Sequence, residues 1–147
     1  YHKGSQQSVV AQIFKQIRET GEARLFQSHN SNYEDGGQLR DFIWVGDCVD
    51  VMIWLSENPS VSGLFNCGTG RARSFKELAE AVFDSLDKKP NIIYIPTPEN
   101  IRDKYQYFTE ANMDRLRLAG YTGKSTSLEK GVKQYVLEYL LTTDPYC

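Results

Sequence analysis

Two stretches of this chain share one layout, and that layout restricts the folds open to it. In Leu39-Arg-Asp-Phe-Ile-Trp-Val-Gly-Asp47 and in Gly63-Leu-Phe-Asn-Cys-Gly-Thr-Gly-Arg-Ala-Arg-Ser74, a short apolar run of β type ends in Gly or Asp and opens into a helical pattern. Strand-then-helix alternation argues an α/β fold. It also places backbone N–H groups and arginines at strand ends, where such folds hold anionic ligands. The chain begins Tyr1-His-Lys-Gly-Ser5, without Met, signal-peptide character or a preceding strand, and so reads as the back half of something longer.

The rest of the chain follows the same alternation. Val9, Ile13, Phe14 and Ile17 fall at helical spacing, which predicts a helix over 6–19 that follows Ser5 and stops at Gly21. Arg24-Leu-Phe26 is a short strand, and the Asn-, Ser- and Gly-rich segment 28–38 reads as a mobile loop. Phe42-Ile-Trp-Val45 is expected to be a strand, with Asp47 capping a helix that Asn58-Pro59 ends. Leu64-Phe-Asn-Cys67 is the next expected strand. Ser74 and Glu77 form a capping box for a helix over 75–86. Asn91-Ile-Ile-Tyr-Ile95 is a strand stopped by Pro96 and Pro98. A short helix over 109–119 ends at Gly120. Thr126 and Glu129 form a second capping box before an amphipathic terminal helix carrying Leu128, Val132, Tyr135, Val136 and Tyr139. The strands are few and short, so a complete doubly wound sheet is not expected within this chain.

Charge narrows the function classes. Seventeen Lys and Arg against nineteen Asp and Glu give a net charge of −2, which makes no electrostatic case for nucleic acid or an anionic membrane. No apolar run approaches a bilayer-spanning length. Cys48, Cys67 and Cys147 are odd in number and widely spaced, so neither a disulfide framework nor a zinc site is expected, and a reducing cytoplasm fits. Cys48 and Cys67 sit in apolar runs and read as small core residues.

The residues alone do not assemble a complete active site. No Gly-x-Gly-x-x-Gly follows a strand, no Tyr-x-x-x-Lys occurs, and no Ser/His/Asp set replaces them. Gly68-Thr-Gly70 is open to two readings. One is a turn bringing backbone close to a ligand or another segment; the other is a strand-to-helix connection with unusual dihedrals. Arg71 and Arg73, beside it, could meet phosphate or be solvated.

Several segments together resemble the C-terminal part of the extended short-chain dehydrogenase/reductase superfamily: Arg40-Asp-Phe-Ile-Trp-Val-Gly-Asp47, Phe65-Asn-Cys-Gly-Thr-Gly-Arg71 and the helix that follows. Within that superfamily, His2-Lys-Gly-Ser5, Leu25-Phe26, Gly68-Thr-Gly-Arg-Ala72 and Lys104-Tyr-Gln-Tyr-Phe-Thr109 resemble the ADP-L-glycero-D-manno-heptose 6-epimerase family. The resemblance implies an α/β substrate-binding portion, residues 1–147, with a small mixed sheet and flanking helices that dock on a Rossmann half not present here. It also implies a cytoplasmic, homo-oligomeric enzyme of lipopolysaccharide precursor synthesis. Such an enzyme epimerises an ADP-sugar by transient oxidation with NADP, which is bound mainly by the other half.

The same resemblance implies residue roles. Lys3 matches a lysine that handles a proton and touches the cofactor, provided its surroundings lower its pKa. Ser5, Gln12, Phe26, Gln27, Ser28, Arg40 and Tyr105 match substrate-contacting positions. Arg40 offers a bidentate fork to a diphosphate, or a surface ion pair. Tyr105 closes a sugar pocket or is an ordinary half-buried ring. Ser5 is equally placed to cap the first helix.

Two departures from the family pattern bear on substrate. Gln12 stands where the family has histidine, and a glutamine cannot act as an acid. The segment after Gln27 looks longer than the family's link to Arg40. Two other readings therefore stay open: another nucleotide-sugar epimerase or dehydratase, which would not need Lys3, and a non-catalytic binding module. As a docking surface the sequence favours residues 47–57 and the first helix, whose apolar stripes exceed what a small sheet covers.

Overall fold

A computed structural model describes residues 7–102 and 104–142. Helix α1, Val9–Thr20, leads into strand β1, Ala23–Phe26. Strand β2 is Leu39–Arg40 and helix α2 is Val45–Glu57. Strand β3, Arg73–Ser74, runs directly into helix α3, Phe75–Ser85, and strand β4 is Ile92–Ile95. The short helices α4, Glu99–Arg102, and α5, Asp114–Leu118, precede helix α6, Leu128–Tyr135, which ends in a π-helical turn, Val136–Leu140.

The α/β architecture agrees with the sequence, but its sheet divides in two. β1 pairs in parallel with β4, with Phe26 opposite Ile95, while β2 pairs antiparallel with β3, with Arg40 opposite Arg73. Helices α1, α3 and α6 enclose the first pair. Ile13 and Ile17 of α1, Leu78, Val82 and Phe83 of α3, and Leu128, Val132 and Val136 of α6 and its extension form one core with Ala23 and Leu25 of β1. The α6 residues fall at i, i+4 and i+8, the spacing that gives a helix one apolar stripe. Burying each such side chain contributes about 1.5–3 kcal/mol, which is what holds these elements on a sheet of two strands.

Helix starts are set by local chemistry. α3 carries the expected capping box: Glu77 N donates to Ser74 Oγ at 3.1 Å, and Ser74 N donates to Glu77 Oε2 at 2.7 Å. α1 is capped not at Ser5, which lies outside the described residues, but at Ser8, whose hydroxyl accepts from Ala11 N at 3.2 Å. Gly21 closes α1 with φ 75°, as expected.

Five expectations are corrected. Residues 42–45 form no strand, and α2 opens at Val45 behind Trp44. Asp47 is therefore inside the first turn, 8% exposed, and its carboxylate accepts from Thr126 N at 2.8 Å and Thr126 Oγ1 at 2.7 Å. That engagement withdraws Thr126 from capping. Ser127 takes the role, accepting from Lys130 N at 3.2 Å, while Glu129 pairs with Arg73 at 2.7 Å. Residues 64–67 form no strand either: an apolar run becomes one only beside a partner edge, and here none lies alongside. Lastly, Cys67 is exposed and Cys48 only partly buried, so they are not core residues.

The unpaired run belongs to a wider apolar surface. Val45, Val49, Met52 and Ile53 recur at i, i+4, i+7 and i+8 along α2 and are 40–64% exposed, and Leu64 is 81% exposed. A contiguous stripe of this kind on a helix marks an interaction face. α1 differs from the expectation for it, since its stripe is consumed by its own core and only Val9 stays exposed.

Candidate functional site

The carboxyl ends of β1 and β4 lie side by side, the place where parallel strands of α/β folds receive ligands. The chain brings three of the residues singled out from sequence together there. The Phe26 ring meets the Tyr105 ring edge to face at 6.2 Å. The guanidinium carbon of Arg40 lies 5.7 Å from the Tyr105 ring centre and 5.8 Å from that of Phe75.

Backbone pairing explains this convergence. Residues 105–109 run extended beside β2: Leu39 N donates to Tyr107 O at 2.8 Å and Thr109 N to Leu39 O at 3.2 Å. The Arg40 side chain donates to the carbonyls of Leu39, at 2.7 Å, and Gln106. Those bonds hold the guanidinium near both rings without neutralising it. Among the described residues no carboxylate lies within ion-pair distance of Arg40, whereas Arg73 is paired with both Glu77 and Glu129. The surface ion pair that sequence left open for Arg40 is thus absent there. Burial pushes the Tyr105 hydroxyl above its ordinary value of 10, with Arg40 acting in the opposite sense. The group stays protonated at neutral pH and able to donate.

Gln27 and Ser28 continue from Phe26 and are partly buried. Gln27 O accepts from Thr97 Oγ1 at 2.9 Å and from the fully buried Gln38 amide at 3.4 Å. Ser28 N donates to Asp35 Oδ1 at 2.7 Å, and Ser28 Oγ to Asn30 O at 2.8 Å. Segment 28–38 is therefore not an untethered loop. Gly36, at φ 70°, packs so closely that an added Cβ would sit 2.9 Å from the Tyr94 ring. Gln12 takes no part in this cluster; it is exposed on α1, and its amide donates to Gln7 O at 2.9 Å. Lys3 and Ser5 lie outside the described residues.

The Gly68-Thr-Gly70 turn is not an open anion cradle. The N–H groups of Thr69 and Gly70 are already bound to a carboxylate of this chain, and Gly68 N donates to Met113 Sδ at 3.2 Å. Asp41 Oδ1 accepts from Thr69 N at 2.8 Å and Thr69 Oγ1 at 2.5 Å, and Oδ2 from Gly70 N at 2.9 Å and Ala111 N at 3.0 Å. Burial would raise the Asp41 carboxyl, but these bonds outweigh it and hold it below its ordinary value of 3.8. Gly68 is required by closeness, since an added Cβ would lie 2.4 Å from the Ala111 Cβ and 2.5 Å from Asp41 Oδ2. Gly70 adopts φ 68°. Each reading of this motif holds in part: Gly68 brings the backbone close to another segment, Gly70 takes the special dihedral, and Asp41 is the residue that explains both. With the turn filled, the described residues hold no cradle fit for the phosphates of a dinucleotide.

Arg102 was not anticipated. Its Nη2 donates to Thr97 O at 3.0 Å, beside Gln27, while its buried Nε has no hydrogen-bond partner. The sequence signal for it is slight: a basic residue shortly after a proline-stopped strand. A cavity of about 590 Å³ lies elsewhere, between Val9, Trp44, Leu128 and Tyr139, and none of Phe26, Arg40 and Tyr105 lines it. Partial desolvation and then the neighbouring Cys48 push the Cys67 thiol up to about 11, so little of it is thiolate at neutral pH. Among the described residues there is no group of three metal-ligating side chains, and no helix is long and apolar enough to cross a membrane.

Known proteins resemble this chain in sequence and in fold. The model of the NAD dependent epimerase/dehydratase family matches residues 1–68. ADP-L-glycero-D-manno-heptose-6-epimerase of Nitratidesulfovibrio vulgaris is 53% identical over 99% of this chain and 45% of its own length, and that of Fusobacterium nucleatum 45% identical over 99% and 46%. The crystal structure of the Helicobacter pylori enzyme of the same name superposes with a TM-score of 0.72 at 25% identity, over 93% of this chain and 39% of its own. Thermus thermophilus UDP-glucose 4-epimerase, in complex with NAD, shares the fold at a TM-score of 0.67 and 22% identity, over 85% of this chain and 37% of its own. The chain spans just under half the length of these curated relatives. On sequence and fold together, the chain is similar over almost all of its length to a part of these ADP-L-glycero-D-manno-heptose-6-epimerases, and its first 68 residues match the NAD dependent epimerase/dehydratase family.

Proposed function

We propose that the chain is the sugar-diphosphate-binding portion of a cytoplasmic, homo-oligomeric epimerase that converts ADP-D-glycero-D-manno-heptose to its L-glycero epimer for lipopolysaccharide precursor synthesis. The observation that carries this reading is the convergence of Phe26, Arg40 and Tyr105 at the carboxyl ends of β1 and β4. Arg40 meets the diphosphate as an oriented cation with no carboxylate partner among the described residues, and a guanidinium suits two phosphate oxygens at once. Tyr105 donates its hydroxyl to a sugar or phosphate oxygen. Gln27 and Ser28 border the same end of β1, and Ser5 is a further substrate contact, whereas Gln12, which takes no part in the cluster, is left out of the reading.

Lys3 holds or moves the proton of the hydroxyl being inverted, and it touches the cofactor. NADP, when bound, supplies hydride acceptance and return; its phosphates rest on residues other than those described here, since the Gly68-Thr-Gly70 amides are taken. The α2 stripe and residues 64–67 pack against the remainder of such a protein, which the relatives' greater length accommodates. The chain by itself is inactive.

The test is turnover by the protein encoded by the complete reading frame that contains this chain, followed by NMR of the heptose carbons. Conversion of ADP-D-glycero-D-manno-heptose is expected, and its loss by at least about a hundredfold in Lys3→Ala, the scale of a removed general acid–base. Turnover of a different nucleotide sugar that survives Lys3→Ala would instead establish another member of the superfamily. Absence of any turnover would leave a binding module.

A further inference from the structure

Next to Arg40 the structure holds a feature that the proposed function uses only in part, through Phe26 and Tyr105. Four rings stand in an unbroken row. Phe26 meets Tyr105 at 6.2 Å and 82°, Tyr105 meets Tyr107 at 5.5 Å and 74°, and Tyr107 meets Tyr33 at 5.2 Å and 38°. The row starts at the strand end, passes Arg40 at Tyr105, and finishes on segment 28–38.

Its geometry follows from the backbone. Side chains alternate faces along an extended chain, so Tyr105 and Tyr107 share one face of the segment that pairs with β2. Tyr33 is brought to them by the folding of its loop. His29 N donates to the Tyr107 hydroxyl at 2.7 Å, and Tyr33 N to Asn30 O at 3.0 Å. Asp35 and the tightly packed Gly36 fasten the far side of that loop. These rings are not core filling. Phe83, at the centre of the core, is 1% exposed, whereas Tyr33 and Tyr107 are only partly buried and keep ring surface available.

We propose that Tyr33 and Tyr107 form a stacking platform for the nucleobase of the nucleoside diphosphate sugar whose diphosphate Arg40 holds. This deepens the function proposed above and rests on it. A nucleoside diphosphate carries an anionic group and a flat ring a few bonds apart. The row offers the matching pair, a cation stacked at one ring and open aromatic surface two ring steps further on. An aromatic face accepts any base, so the platform gives affinity for the nucleoside and favours the larger purine, with discrimination left to other contacts. Its presence on segment 28–38 gives that segment a ligand-binding role.

The test titrates this chain with ADP and with inorganic pyrophosphate, read by ligand-observed NMR, which detects weak binding. ADP is expected to bind about tenfold or more tightly than pyrophosphate. Tyr33→Ala is expected to weaken ADP by about five- to hundredfold, the range for losing one stacked base, and to leave pyrophosphate unchanged. Tyr33→Phe keeps the ring and retains ADP affinity, which separates loss of stacking from collapse of the loop. The platform is overturned if Tyr33→Ala leaves ADP affinity intact, or weakens ADP and pyrophosphate equally. Binding of pyrophosphate as tight as that of ADP also overturns the platform but leaves the diphosphate site standing. If neither ligand binds, the proposed function fails, and the platform with it.

Discussion

Replacing Asp41 with alanine is expected to lower the unfolding free energy by about 3 kcal/mol, from several charge-assisted hydrogen bonds lost at once. One carboxylate ties three segments together: the chain after β2, the Gly68-Thr-Gly70 turn and the segment before α5. Without it, three backbone N–H groups and the Thr69 hydroxyl lose their acceptor. Asp41→Asn is the sharper variant. Its amide presents N–H to Gly70 and Ala111, which are themselves donors, so a loss close to that of alanine is expected despite unchanged volume.

The acid limb of stability carries the same signature. Asp41 lies below its ordinary 3.8 in the folded chain. Glu77 and Glu129 lie below 4.5: for Glu77, burial works upward but the Ser74 and Arg73 bonds outweigh it, and for Glu129 its own backbone N–H and then Arg73 lower it. Each depressed carboxyl adds stability that is fully present above its ordinary value and is lost as the pH falls through its folded value. Urea melts from pH 6 downward are expected to hold steady to about pH 4.5 and then fall, with a shallower fall in Asp41→Asn. A flat profile, or one unchanged by the substitution, would contradict the role given to Asp41.

Arg40→Ala is expected to weaken ADP binding by about a hundredfold, the scale of a lost bidentate charge-assisted contact. It is also expected to lower stability by about 1–2 kcal/mol, because the bonds to Leu39 O and Gln106 O and the two ring contacts go with it. The two effects separate in Arg40→Lys. Lysine keeps the charge but not the flat fork, so the fold persists while ADP affinity falls about tenfold. If Arg40 were only a brace between Phe75 and Tyr105, both variants would melt earlier and bind ADP as the parent does. Calorimetric melts alongside titrations distinguish the outcomes.

What the sequence disclosed, and what it hid, divides by distance along the chain. The Ser74–Glu77 box, the stop at Gly21 and the α6 stripe are settled by neighbours within a turn or two, and periodicity or cap chemistry reveals them. Gly68-Thr-Gly70 stays open between two readings in the sequence because its acceptor stands 28 residues earlier, at Asp41. Thr126 reads as a cap because Asp47, 79 residues before it, claims its hydroxyl. Residues 64–67 look like a strand because composition records β preference but not the availability of an edge to pair with. The meeting of Phe26, Arg40 and Tyr105 was legible only through resemblance. No local pattern reveals that residues 105–109 lie along β2, and the Tyr33–Tyr107 contact depends on that same pairing.

The central claim is that a sugar diphosphate rests on Arg40, between the ends of β1 and β4 and the extended segment beside β2. It is tested most directly by ¹H–¹⁵N correlation spectra of the labelled chain, including the arginine side-chain N–H signals, during titration with ADP-D-glycero-D-manno-heptose. The expected result is saturable shifts at the Arg40 guanidinium and at the amides of Gln27, Ser28 and Tyr105, with the Thr69 and Gly70 amides unmoved because Asp41 already holds them. Shifts centred on residues 68–71 with Arg40 unmoved would contradict it.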